Sequence, residues 1–392
     1  MPSQPAARIL FFRNATLLVS SMLTVMAGAA IAPALPEMGI AFQQIPNASL
    51  WVKLVMTVPA LFIGIGAPGI GFLLDRWGRK TVLCLALLLY SLAGSLGYLM
   101  DTLPALLISR CVLGLAVAGT MTSTVTLIGD FFKGKELNRF MGLQSMFMGI
   151  GGILFMLSGG FLASINWHMP FLVYLFGLLP LAGAVFFMPE PPRQASNTAA
   201  TARQLSSLPW KKMLMIYGVS FIGMTVFYMM PVQFPFYMDA FFHANSSQVG
   251  MTIAFMNVFS ALSSLAFAPM RARTSPAVIA IFIYLSLGIG MVTFFFAHNL
   301  LMIVPGLVLT GIAIGWLIPN MNGWIVSIAP SEFRGRAVGG LTIFFYLGQF
   351  FSPILVAPLL AQMALDGVYG SVGGGMIVLA ALAVLVVAAF PQ

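Results

Sequence analysis

Between two long apolar runs the chain reads Gly71-Phe72-Leu73-Leu74-Asp75-Arg76-Trp77-Gly78-Arg79-Lys80. Four of these residues are charged, in a chain where only 7% are Asp, Glu, Lys or Arg. The runs on either side, 51–73 and 81–100, each reach the ~20 apolar residues that a helix needs to cross a bilayer. A charged loop between two such runs reads as a membrane hairpin.

The pattern repeats outward. Runs at 15–38, 105–128, 140–163 and 169–189 complete a first set of six. A second set follows at 213–238, 246–270, 277–297, 301–327, 337–361 and 371–389. The sequence therefore predicts an all-α polytopic membrane protein, with twelve transmembrane helices in two six-helix bundles. Composition points the same way, since 60% of the 392 residues are hydrophobic and the mean hydropathy is +1.00. Soluble domains hold about 25% charged residues. This chain has too little polar side chain for a water-exposed surface, which excludes a soluble enzyme, a disordered tail and a secreted disulfide scaffold. The first run lacks a small-residue cleavage site, so it reads as a span and not a removable signal peptide.

Charge sets the expected orientation. With both termini in the cytoplasm, sixteen of the eighteen basic residues fall inside, and only Lys53 and Arg110 do not. This is the positive-inside bias. It makes the net charge of +9 a topology marker, with no nucleic-acid partner implied. Cys84 and Cys111 sit in apolar runs without metal-ligand spacing and read as small buried hydrophobes. No metal, cofactor or nucleophile–base cluster is expected, so the chain does not read as an enzyme.

A single long polar stretch, 190–212, joins the halves as a cytoplasmic linker, giving an N-terminal bundle over 1–189 and a C-terminal bundle over 213–392. The halves echo each other at an offset of 197 residues. The turn after span 4 carries Arg139 and Gly142, and the turn after span 10 carries Arg336 and Gly339 at the matching places. Parallel six-helix repeats place a substrate site between repeats near the midplane.

Polar residues within the spans are the functional candidates. Arg110 lies a few residues into span 4 and is expensive there unless it meets a partner or a cavity, so it is a candidate for coupling or substrate binding; snorkelling to the outer interface is the alternative. The acids all fall at membrane edges or in loops. Glu37, after Pro33-Ala34-Leu35-Pro36, and Asp239 on span 7 are the nearest to coupling carboxylates. Span 7 is rich in Met and aromatics around Tyr228 and Gln233. Span 10 carries Trp316, Asn320 and Asn322, and span 11 carries Tyr346 and Gln349. Polar groups in hydrocarbon need partners or a water-filled cavity, so these seven are candidate cavity residues.

The 71–80 loop resembles the signature loop of the major facilitator superfamily, Gly-x-Leu-x-Asp-Arg-x-Gly-Arg-Lys. Arg110-Cys111-Val112-Leu113-Gly114 resembles that family's Arg-x-x-Gln-Gly element, with Leu113 in place of Gln. Gly159-Gly160 matches part of a drug-exporter motif on span 5, but Phe155-Met156 replaces its Gly-Pro. The twelve-span drug–proton antiporter group is the nearest branch. The resemblance implies a conformational latch of Gly71, Asp75, Arg76, Gly78, Arg79 and Lys80, complemented by Asp130, Glu136 and Arg139. Gly71 would allow helices to approach closely.

The expected function is a secondary active transporter in the cell (inner or plasma) membrane. It would export small amphipathic organic compounds, as in multidrug efflux, by alternating access and in exchange for protons. Its partners would be the small-molecule substrate, protons and membrane lipids. A narrow-specificity metabolite or siderophore exporter or facilitator is the first alternative. A non-transporting receptor or lipid scramblase on the same fold is the second.

Overall fold

The computed structural model describes residues 4–191, 209–330 and 333–389. Most of the 190–212 stretch and Glu332 of the second-half turn lie outside these residues. Helices fill the described chain, with no strand among the described residues. The reason is solvation: hydrocarbon offers backbone groups no partner, so each span satisfies them internally.

Among the described residues, twelve helices are long and apolar enough to cross a membrane. They are α1 (Arg8–Ala41), α2 (Ala48–Trp77), α3 (Arg79–Leu99), α4 (Leu103–Phe131), α5 (Gly134–Ala163) and α6 (Met169–Phe187). The rest are α7 (Trp210–Phe242), α8 (Ser246–Leu265), α9 (Pro276–Phe295), α10 (Leu300–Ile328), α11 (Arg334–Leu360) and α12 (Leu365–Leu385). Polar caps start three of them, and at the head of α8 Asn245 Oδ1 accepts from the Gln248 N–H at 2.9 Å. Ser275 Oγ accepts from the Val278 N–H at the head of α9, and Asn299 Oδ1 accepts from Met302 N–H at 3.0 Å ahead of α10. Proline interrupts others. Regular α1 ends at Ala29, and Ala32–Ala34, containing Pro33, forms a 3₁₀ turn. The α7 helix breaks at Tyr228, between Trp210–Phe227 and Met229–Phe242.

The chain divides into two compact units. One holds Met1–Ala195 with Asn245–Met251, and the other holds Ser196–Ala244 with Thr252–Gln392. Within the first, α1 packs on α5, α2 and α3 pack on α4, and α3 packs on α6. Within the second, α7 packs on α11, α9 on α10, and α9 on α12, so most of the same pairings recur six helices later.

The 197-residue offset reappears in close contacts. A Cβ on Gly114 of α4 would lie 2.5 Å from the Pro59 carbonyl oxygen of α2. A Cβ on Gly311 of α10 would lie 2.5 Å from the Met256 carbonyl oxygen of α8. Gly114 maps onto Gly311, and Pro59 maps onto Met256, at that offset. The repeat is thus one packing solution used twice, built on a glycine that lets two backbones touch.

Tyrosines supply the polar ties. Tyr90 donates to the Leu23 carbonyl at 3.1 Å and Tyr174 to Ala27 at 2.8 Å in the first unit. Tyr217 donates to Ala337 at 2.8 Å, Tyr237 to Phe294 at 2.7 Å, and Tyr284 to Val219 in the second. Each bond crosses from one span to another and keeps a phenol hydroxyl satisfied away from water. Cys84 and Cys111 are half-buried, so neither is the fully enclosed hydrophobe expected from its apolar run.

Candidate functional site

The signature loop is a tight helix–turn–helix. The α2 helix ends at Trp77, Gly78 takes φ +93°, and α3 begins at Arg79. The first N–H groups of a helix have no intrahelical acceptor and carry the positive end of its dipole. Glu190 meets them: its carboxylate accepts from Arg79 N–H at 2.6 Å and Lys80 N–H at 2.9 Å. Lys80 Nζ donates to the Val185 carbonyl at 2.9 Å, tying the same turn to α6. Glycine at 78 serves two needs at once. Its φ suits glycine, and a Cβ there would stand 2.7 Å from Glu190 Oε1.

Arg79 Nε approaches Asp130 Oδ2 at 2.8 Å, joining α3 to the end of α4 as an ion pair without hydrogen-bond alignment. The structure thus brings Gly78, Arg79, Lys80 and Asp130 together, with Glu190 added. Arg76 is exposed in the last turn of α2. Asp75 is also exposed, and among the described residues neither it nor Glu136 or Arg139 forms an ion pair. Gly71 faces open space, with no atom within 4 Å of a built Cβ. The tight crossing of α2 falls earlier, at Pro59 against Gly114 and at Gly66, where a Cβ would lie 2.8 Å from Leu115. Glu190 escaped sequence reading because its partners are backbone N–H groups, which no motif displays. The available signal was an acid directly after a span whose loop faces a helix N-terminus.

One contact links Gly78 and Glu190, which makes their effects non-additive. Glu190→Ala is expected to cost about 1 kcal/mol, as loss of a helix N-cap does. Gly78→Ala should cost at least as much, and the double variant should lose less than the sum. Thermal midpoints of the three purified variants test this; strict additivity would show that the cap and the glycine act separately.

Arg110 does not snorkel. It is fully buried, and its Nη2 donates to the carbonyls of Ala93 at 3.1 Å and Gly94 at 2.9 Å. These are among the last four carbonyls of the regular helix Arg79–Leu96, where intrahelical donors run out. Its Nε donates to Ser109 Oγ at 3.3 Å, and the guanidinium carbon lies 5.0 Å from the ring centroids of both Phe171 and Tyr174. The α3 helix is therefore held by a carboxylate at its N-terminus and a cation at its C-terminus, each matching the local sign of the dipole.

The two acidic coupling candidates differ. Glu37 opens the short helix Leu35–Ala41 and accepts from Ser246 Oγ at 2.6 Å; Ser246 lies in the Asn245–Met251 segment of the first unit. Asp239 is exposed near the end of α7. Among the described residues, Lys53 and Arg110 are the buried charged side chains, and no acid is buried.

The cavity candidates separate as well. Trp316 Nε1 donates to the Ser263 carbonyl at 2.7 Å, and Asn320 Nδ2 donates to the Pro276 carbonyl at 3.0 Å, so both tie α10 to neighbours. Asn322, Tyr228, Tyr346 and Gln349 are partly buried. Gln233 is fully buried, and neither amide atom has a hydrogen-bond partner. Leaving a buried donor or acceptor unmade costs about 1–3 kcal/mol.

A sequence profile described as Major Facilitator Superfamily matches residues 17–241 and 216–392, essentially the whole chain. The chain belongs to that superfamily. Its members are transporters of small molecules and not enzymes. The chain is 24% identical to the bacillibactin exporter of Bacillus subtilis (strain 168), covering 84% of this chain and 85% of that one. It is 26% identical to the class C tetracycline resistance protein of Escherichia coli, covering 79% and 80%. A 33% identical match to the niacin transporter NiaP of Acinetobacter baylyi covers 33% of this chain and only 29% of that protein. The nucleoside transporter NupG, solved as a point mutant, shares the fold, with a TM-score of 0.79 at 12% identity over 95% of this chain and 99% of that one.

Proposed function

We propose that this member of the superfamily exports small amphipathic organic compounds by alternating access, with proton entry as the driving force and both termini in the cytoplasm. The observation that carries the reading is α7. It is broken at Tyr228, lined by buried Met229, Met230, Phe234 and Met238, and holds one buried carboxamide without a partner. Met and aromatic surfaces adapt to bulky apolar ligands, and a lone amide adds polar selectivity. Similarity over most of the chain to proteins named as a bacillibactin exporter and a tetracycline resistance protein supports the outward direction.

Glu37 is the proposed proton site, because its carboxylate accepts a hydrogen bond from a hydroxyl and, among the described residues, forms no ion pair with a cation. Glu37→Gln keeps an acceptor for Ser246. It should leave the thermal midpoint unchanged, while transport in proteoliposomes ceases to respond to an imposed pH gradient. A variant that still follows the gradient would move the coupling elsewhere.

The narrower reading is an exporter of one neutral or anionic metabolite. It is favoured by the buried charge, which is cationic at both Lys53 and Arg110 and would disfavour lipophilic cations. A substrate panel with defined pH gradients separates the readings. Flux of lipid alone, or no solute flux, would support the scramblase or receptor alternative.

A further inference from the structure

Gln233 is the exception among the buried polar side chains of α7. Tyr217 donates to the Ala337 carbonyl, Ser220 to Ile216, Thr225 to Gly348 and Tyr237 to Phe294. The hydroxyls reaching this helix from elsewhere are also committed: Ser352 to the Thr225 carbonyl at 2.7 Å and Tyr369 to Met229 at 3.4 Å. Gln233 alone on this helix has both its NH₂ and its carbonyl oxygen buried and unmatched, in a stretch where Met229, Met230, Phe234 and Tyr237 are buried as well. Buried polar atoms are almost always paired, so an orphaned donor and acceptor on one rigid group mark a place where something else completes them.

The backbone beside it is short of donors. Pro231 and Pro235 have no N–H, so the carbonyls of Phe227 and Pro231 lose the donor that a regular helix would supply. Interrupted membrane helices of this kind line binding sites. No ionised side chain is buried on α7, so a charged ligand group would find no opposite charge there.

We propose that the Gln233 carboxamide is a ligand-binding group of the transporter, and that it takes a neutral edge bearing a donor beside an acceptor. A carboxamide, a lactam or a phenol with an adjacent carbonyl fits this description. The inference rests on the export reading for its biological sense, but its stability arm does not depend on transport.

The test uses the purified full chain in detergent and in proteoliposomes, with Gln233→Leu and Gln233→Met. Both variants remove the orphaned atoms at similar volume. The expected result is a thermal midpoint equal to or above that of the wild type in both. Salicylamide, the neutral probe, should raise the wild-type midpoint, and its apparent affinity should fall about tenfold or more in either variant, as loss of a ligand hydrogen bond does. Benzoate and tetraphenylphosphonium supply the anionic and cationic comparisons.

A midpoint lowered by several degrees in both variants would show that Gln233 holds the fold, and would overturn the proposal. So would a salicylamide shift retained in the variants, or absent in the wild type. Stronger stabilisation by tetraphenylphosphonium than by salicylamide would overturn the neutral class. If the binding results hold but no probe crosses the proteoliposome membrane, the export reading fails while the Gln233 site stands.

Discussion

Gly114→Ala and Gly311→Ala are each expected to lower the thermal midpoint of the purified protein by roughly 2–6 °C, whereas Gly69→Ala should leave it unchanged or raise it. The contrast rests on what a methyl group meets. At Gly114 it meets the Pro59 carbonyl oxygen at 2.5 Å, Phe62 Cβ at 2.7 Å and Pro59 Cα at 2.9 Å. At Gly311 it meets the Met256 carbonyl oxygen at 2.5 Å and Phe259 Cβ at 3.0 Å. Two of the three neighbours at Gly114 are backbone, so no rotamer change relieves the contact and the helices must separate. Overpacking of this kind costs about 1–3 kcal/mol, more than the roughly 1 kcal/mol that alanine gains over glycine in a helix. Gly69 lies on the same α2 helix with nothing within 4 Å, so it receives only the helix gain. Equal midpoints for all three variants would show that the α2–α4 and α8–α10 crossings tolerate a wider spacing, and that the shared glycine is not what the repeat preserves.

That repeat was legible in part. The span pattern could be read because hydrocarbon forces long apolar runs, and the signature loop because its charges interrupt them. Two matching turns, at Arg139 and Arg336, revealed the offset. The Gly114–Gly311 pair carries the same offset, but a glycine within a span says nothing about which backbone it touches. Gly71 illustrates the reverse case: its motif position suggested a tight crossing, and the structure places that crossing one or more turns away.

The polar sites divide along a similar line. Trp316, Asn320 and Gln233 look alike in sequence, as polar or amphipathic residues inside apolar runs. Two of them reach a carbonyl on a neighbouring helix, and the third reaches none. Carbonyls belong to every residue and leave no mark in the sequence. Only the packing decides which side chain finds one. Glu190 was obscured for the same reason, because its partners are the backbone N–H groups of Arg79 and Lys80.

Arg110→Met is expected to produce the largest loss of stability of any single polar substitution, with a midpoint lower by roughly 5–12 °C for about 2–4 kcal/mol. A buried cation is costly in a span, by about 2.5–3.5 kcal/mol on insertion scales. Removing it would therefore stabilise the protein if nothing else changed. Two effects oppose that gain and outweigh it. The carbonyls of Ala93 and Gly94 lose charged donors at 3.1 and 2.9 Å, and charge-assisted bonds are worth about 1.5–3 kcal/mol each. The guanidinium also sits 5.0 Å from the Phe171 and Tyr174 ring centroids, where a desolvated cation contributes about 2 kcal/mol. Arg110→Lys keeps the charge but replaces a planar fork with a point donor, so it should fall between the wild type and Arg110→Met. If Arg110 positions α3 in this way, transport at low temperature should decline with stability across the two variants, and the dependence on a pH gradient should persist in the folded fraction. An Arg110→Met protein with an unchanged midpoint and no gradient response would instead assign Arg110 to coupling.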